Sequence, residues 1–167
     1  MCGDSAGGHL AIAVTILAIL RQFRIPDGLV LHYPAASGNT GHFFPSTLLT
    51  LDDFLLNYNL LFYVATAFTR KGGDATSNFF ISPIYTPPEI LSRFPKTKIL
   101  VAEVDPLRDQ GVYFGLQLKR AGVDTEVFYF RDYVHNFLQF DDSTFGIPEF
   151  QNASKITLDL FKELLHI

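Results

Sequence analysis

The 167-residue chain is 48% hydrophobic and 18% charged, a balance that excludes a disordered polymer and calls for one sizeable buried core. Thirteen basic against 17 acidic side chains leave a net charge of −4, which argues against nucleic acid as a general partner because phosphate binding needs a basic surface. A single cysteine, Cys2, cannot close an internal disulfide and suits a reducing, cytoplasmic compartment. The longest apolar stretch, Leu10 to Leu20, covers eleven residues against the roughly 20 a membrane-spanning helix needs, and no positive charge precedes it. Neither a membrane span nor a secretory signal is expected.

In chain order, Ala6 to Phe23 reads as a helix, with glycines in its opening turns, an apolar middle nearly all round, and Arg21, Gln22 and Arg24 at its end. Such a helix is expected to be buried on several sides. The turn Pro26-Asp27-Gly28 leads into a strand, Leu29 to Tyr33, closed by Pro34. Ala35 to Phe44 reads as loop, Leu48 to Phe68 as two short helices, and Arg70 to Pro88 as an ordered loop pinned by Phe79, Phe80 and Ile81. A second strand follows at Thr97 to Val104, a helix at Arg108 to Ala121 with Gly122 as its stop, a third strand at Thr125 to Arg131, and a last helix at Gln151 to Leu165. The alternation predicts an α/β fold with about three mostly parallel strands and flanking helices in one domain, residues 35 to 95 forming a pocket or cap-like insertion.

The chemistry concentrates at the start. Gly3-Asp4-Ser5-Ala6-Gly7 fits G-x-S-x-G, a nucleophile elbow in which a serine stands on a tight turn between strand and helix. Small residues at Gly3, Gly7 and Gly8 suit a backbone that doubles back, and the helix start favours a developing negative charge, with the Ala6 N–H as one oxyanion donor. Taken alone, the same residues also read as a glycine-rich helix start. A serine nucleophile needs a base and an orienting carboxylate, carried after an elbow in the order serine, acid, histidine. Of five histidines, His9 falls in the first helix, His32 in a strand, His42 in a loop and His166 at the end. Only His135 follows a strand and opens a loop, where open α/β sheets bind ligands. Asp105 stands at a strand's C-terminal end before Pro106. Glu103 is expected to pack within the strand or face away, and Asp109, the competitor, to serve as a carboxylate at a helix N-terminus. Singly, His135 also reads as a loop histidine and Asp105 as a helix cap; their joint order links them to Ser5.

These segments together resemble the C-terminal half of the catalytic domain of the hormone-sensitive lipase family of α/β-hydrolases, which includes arylacetamide deacetylases and many bacterial esterases. The matching pieces are Gly3-Asp4-Ser5-Ala6-Gly7-Gly8 with His9-Leu10-Ala11, Tyr33-Pro34, Ser82-Pro83, Asp105-Pro106-Leu107-Arg108-Asp109 and His135-Asn136-Phe137. Pro26-Asp27-Gly28 and Phe44-Pro45-Ser46-Thr47-Leu48-Leu49 with Asp52-Asp53 resemble the animal-type members. The resemblance implies Ser5 as nucleophile, His135 as general base and then acid, and Asp105 as its orienting carboxylate. It implies hydrolysis of hydrophobic acyl esters such as acylglycerols or sterol esters in lipid catabolism, with no metal or organic cofactor. A cytoplasmic enzyme in peripheral contact with a lipid surface, such as a droplet, goes with it. Asn136 stands where the family usually has Gly; Asn tolerates left-handed backbone angles better than most residues.

The family's domain also carries upstream strands and an HGGG-type oxyanion loop, and no His-Gly-Gly occurs in this sequence. Only four residues precede Ser5, fewer than the about five to six of a typical strand. The expectation is a partial catalytic domain that leaves one sheet edge and much of the first helix uncovered, its natural packing partner being the missing half. Losing oxyanion donors costs about 3 kcal/mol each, so the alternative is a catalytically impaired fragment or pseudoenzyme that at most binds an apolar ligand or a partner.

Overall fold

The computed structural model describes residues 1–69, 74–140, 146–147 and 150–165. Its strands are β1 (Cys2–Asp4), β2 (Leu29–His32), β3 (Thr97–Val104) and β4 (Thr125–Val134), all parallel in the order β1-β2-β3-β4. The helices are α1 (Ala6–Arg21), α2 (Pro45–Leu49), α3 (Tyr58–Thr69), α4 (Pro88–Leu91), α5 (Arg108–Arg120) and α6 (Gln151–Leu165), with 3₁₀ turns at Pro83–Tyr85 and Phe137–Phe140.

Strand residues alternate between two cores. Leu29, Leu31, Ile99 and Val101 pack with Ile12, Ile16 and Ile19 of α1, Leu91 of α4, and Phe114 and Leu118 of α5. Val30, Leu100 and Ala102 point the other way, against Ala153 and Leu160 of α6. Helices on both faces explain why β2 and most of β3 read as unbroken apolar runs instead of alternating patterns.

Four strands replace the expected three. The three residues before the elbow suffice because β2 supplies their register, Cys2 opposite Val30 and Asp4 opposite His32, and Ser5 N–H continues the ladder to the His32 carbonyl at 2.9 Å. The first helix stops at Arg21, two residues early, because Gln22 adopts a left-handed conformation (φ 56°) and the Phe23 amide turns back to the Ala18 carbonyl. β4 runs three residues past its expected end, to Val134, through an irregularity at Asp132 (φ 62°). The helix stop at Gly122 has φ 85°, which glycine adopts without strain. The two short turns around Pro83 and Pro88 lie within and just after a stretch expected to be loop. The first four residues of that loop, 70 to 73, and His166 fall outside the described residues.

The first helix is buried on one side only. Leu10, Val14, Leu17 and Leu20 form an apolar stripe, each 42–57% exposed. No residue of α3 is fully buried, and β1 is hydrogen-bonded to a neighbour on one side among the described strands. No helix among the described residues is long and apolar enough to cross a membrane.

α6 is fixed to the sheet by polar contacts. Lys98, wholly buried on β3, pairs with Glu126 and Glu163, and Lys96 reaches Glu163 at 2.8 Å. Burial works against the Lys98 ammonium, but its two carboxylate partners still raise its pKa. The hydrogen bonds from Lys96 and Lys98 hold Glu163 down at about 2. Higher on the same face, His32 Nε2 lies 3.3 Å from Thr157 Oγ1, and burial lowers the His32 pKa to about 4, with Asp4 opposing.

The unfolded chain therefore takes up a proton on His32 near pH 6.5, well before the folded one does. Stability is expected to fall between about pH 6.5 and 4 by up to roughly 3 kcal/mol from this group. His9, also lowered by burial, adds to the same slope. Urea denaturation at pH 7, 5.5 and 4.5 checks this: His32→Asn should flatten the dependence, and an unchanged slope would contradict it.

Candidate active site

The elbow begins with a close backbone approach. A Cβ on Gly3 would lie 2.2 Å from the Gly7 carbonyl oxygen and 2.8 Å from the Gly8 nitrogen, so no side chain fits there. On Gly8 a Cβ would meet Pro34 Cβ at 2.9 Å. Gly7 differs, since its nearest neighbour is Asp4 Oδ1 at 3.7 Å, an ordinary contact. Ser5 turns the chain with φ 51° and ψ −116°, and its carbonyl accepts from the amides of His9 and Ala35, both at 3.2 Å. Ala6, Gly7 and Gly8 open α1, where the first amides have no partner within the helix.

The sheet brings the three distant residues together. Asp105 follows β3, is fully buried, and accepts the Leu107 amide on Oδ1 at 2.7 Å. Its Oδ2 lies 2.9 Å from His135 Nδ1, and His135 Nε2 lies 3.0 Å from Ser5 Oγ. A carboxylate only accepts, so Nδ1 carries the proton and Nε2 presents a lone pair to the serine hydroxyl. The imidazole is 3% exposed. Asn136, next to it, has φ 62°, the left-handed conformation a glycine would take without cost. This arrangement is able to draw the proton from Ser5 as its oxygen attacks, and to stabilise the imidazolium that results.

The other candidates lie elsewhere. Asp109 accepts Arg108 Nε at 2.8 Å and the Ser46 amide at 2.8 Å. Burial would raise its pKa, but these bonds more than offset it and hold the carboxyl below its ordinary range. Glu103 accepts the Asp132 amide at 2.8 Å, steadying the irregular end of β4. His42 is exposed and stacks on Phe44. Asp4 is exposed.

Three supporting residues carry no catalytic pattern in the sequence because their side chains bond backbone groups. Gln110, buried on α5, accepts the Ala36 and Ser37 amides and so shapes the loop leaving β2. Ser46 of α2 hydrogen-bonds the Pro106 carbonyl at 3.0 Å and clamps the segment after Asp105. His9 faces two carbonyls, Ala35 at 3.1 Å and Phe80 at 2.8 Å; its place directly after the elbow glycines is its signal in the sequence. A cavity of about 250 Å³ opens beside the elbow, walled by Ala6, His9 and Leu10 of α1, Leu61 and Phe68 of α3, and Ile81.

The profile of the alpha/beta hydrolase fold matches residues 1–139. An esterase of Gibberella moniliformis is 32% identical over 138 residues, covering 82% of this chain and 43% of that protein. The carboxyl esterase 2 structure from Tuber melanosporum superposes with a TM-score of 0.88 at 30% identity, over 99% of this chain and 53% of that one. The chain belongs to the α/β-hydrolases. Mouse hormone-sensitive lipase is 37% identical over 79 residues, 47% of this chain and 10% of that protein, and the hormone-sensitive lipase family is the branch to which the chain belongs. The chain spans about half the length of the Gibberella and Tuber esterases it matches.

The two elbow glycines separate space from propensity. Gly3→Ala should unfold the elbow and lower the melting temperature by several degrees, whereas Gly7→Ala, in a helix with room for a methyl, should be neutral or stabilising by about 0.5 kcal/mol. Thermal melts of the two variants decide it; equal losses would mean that close approach is not the constraint.

Proposed function

We propose that this chain carries the acyl-transfer machinery of a serine carboxylester hydrolase. The observation that carries the reading is the continuous hydrogen-bonded path from Ser5 Oγ through His135 to Asp105. Ser5 attacks the ester carbonyl while His135 Nε2 takes its proton, and Asp105 supports the imidazolium. The Ala6 amide, at the positive end of α1, receives part of the oxyanion charge. His135 returns the proton to the leaving alkoxide, an acyl-serine remains, and a water deprotonated by His135 releases the acid. No step calls for a metal or organic cofactor.

The substrate class is a hydrophobic acyl ester. The cavity beside the elbow is lined almost wholly by apolar side chains, and α3, within the cap-like insertion of residues 35 to 95, supplies its outer wall. Triacylglycerol or sterol ester turnover at a lipid surface in the cytoplasm is the biological setting that the lipase resemblance favours. A second reading draws on the exposed α1 stripe and on β1, paired on one side among the described strands: a catalytically impaired chain that at most binds an apolar ligand or a partner through that surface.

A fluorophosphonate probe tests the chemistry. The chain should be labelled at Ser5, with Ser5→Ala silent and His135→Gln slowed by about 10³-fold or more. Equal labelling of the Ser5→Ala variant would remove Ser5 as nucleophile. For the pocket, Ala65→Phe narrows the cavity between α3 and α1, so hydrolysis of long-chain p-nitrophenyl esters should fall about 10-fold relative to the acetate; a uniform change across chain lengths would place the acyl group elsewhere.

A further inference from the structure

Three of the four strands deliver Ser5, Asp105 and His135 to one sheet edge. The fourth, β2, lies between β1 and β3, and its last residue is followed by Tyr33. We propose that Tyr33 is a positioning residue for His135, its ring forming a fixed wall that keeps the imidazole turned between Asp105 and Ser5. The inference rests on the hydrolase reading above and names a part of that site.

The first observation is contact. The Tyr33 and His135 ring centroids are 4.9 Å apart with planes inclined at 61°, and Tyr33 is 1% exposed. Phe137 backs the Tyr33 ring from 5.1 Å at 78°, and is itself packed on Phe130 and Tyr133.

The second is strain. Tyr33 has φ 36°, a left-handed angle that is an outlier for a bulky aromatic, and the following Pro34 would ordinarily drive it toward extended backbone. Such strain persists only where surroundings over-determine it, and it concentrates at functional sites. Here the Tyr33 amide donates to the Leu100 carbonyl at 2.7 Å, and the Ala35 amide ties the next turn to Ser5. The chain spends this strain on placing one ring under the imidazole. Burial, with the charges of Asp4 and Asp105, pushes the Tyr33 phenol well above its ordinary range, so the wall stays uncharged.

The third is mechanical. While Ser5 is free, hydrogen bonds at both ring nitrogens orient His135. The bond to Ser5 is a passing one, broken as the hydroxyl oxygen attacks, and the bond to Asp105 alone still lets the ring rock. A rigid face beside the imidazole limits that rocking. The aim of Nε2 at the Ser5 hydroxyl in the attack step, and later at water, then depends on Tyr33.

The experiment uses the full chain, with Tyr33→Phe, Tyr33→Leu and Phe137→Leu. Two readouts are taken: the far-downfield proton resonance of His135 Nδ1–H by NMR, and the saturation kinetics of Ser5 labelling by a fluorophosphonate. Tyr33→Phe keeps the ring, so the resonance should stay sharp and the maximal labelling rate within about threefold of the parent. Tyr33→Leu should broaden or lose the resonance and lower the maximal rate by about 10- to 100-fold with little change in half-saturation concentration. Should Tyr33→Leu not fold, Phe137→Leu loosens the wall without touching the β2 backbone and should lower the rate about 3- to 10-fold. Parent-like resonance and rate in folded Tyr33→Leu, or in Phe137→Leu where Tyr33→Leu does not fold, overturns the role of Tyr33 alone. A parent chain that is not labelled at Ser5 overturns the hydrolase reading and this inference with it.

Discussion

Four strands running in one direction bring the residues after β1, β2, β3 and β4 to a single edge, although Ser5 and His135 are 130 positions apart in the chain. A one-residue slip of any strand would exchange its two faces, sending Leu29 and Leu31 toward α6 and Val30 toward α1. Burial on both faces therefore fixes register, and register fixes the distances at the edge. The 2.9 Å and 3.0 Å hydrogen bonds of His135 are downstream of that packing.

The sheet concentrates strain at one end and charge at the other. Ser5, Tyr33, Asp132 and Asn136 all have positive φ, and all lie where the strands run out toward the site. At the opposite end Lys96, Lys98, Glu126 and Glu163 tie β3, β4 and α6 together. A lysine buried in a strand is costly unless its ammonium is paired, and the two carboxylates answer that cost while anchoring the helix that backs Phe137 and Phe150. Asp132 and Asn136, at the end of β4 nearest Ser5, are thus balanced by a firmly tied opposite end of β3 and β4.

The segment between β2 and β3 is joined to the surroundings of Ser5 and Asp105 from two sides. Ser46 grips the segment after Asp105, while Gln110 and His9 hold the backbone that walls the cavity. Movement in the pocket wall is thus mechanically connected to the acid and to the elbow helix. The same region and α1 present apolar side chains outward, as Val14 and Phe62 illustrate.

Much of this was legible in the sequence by itself. Local signals suffice for the elbow turn, for β3 at Thr97–Val104 and for α6 at Gln151–Leu165, because glycine spacing and apolar runs are written in neighbouring residues; Ser5, Asp105 and His135 are picked out together only by their order along the chain, and the fold brings them within hydrogen-bond distance. The short β1 was missed since three residues carry no pattern of their own and become a strand only beside β2. The work of Gln110 and Ser46 was invisible because each answers a backbone group 60 or more positions away. So too with Tyr33: the sequence marks it as a strand's end before a proline, and only the tertiary structure sets its ring against His135, because that contact exists solely when β2 is clamped between β1 and β3.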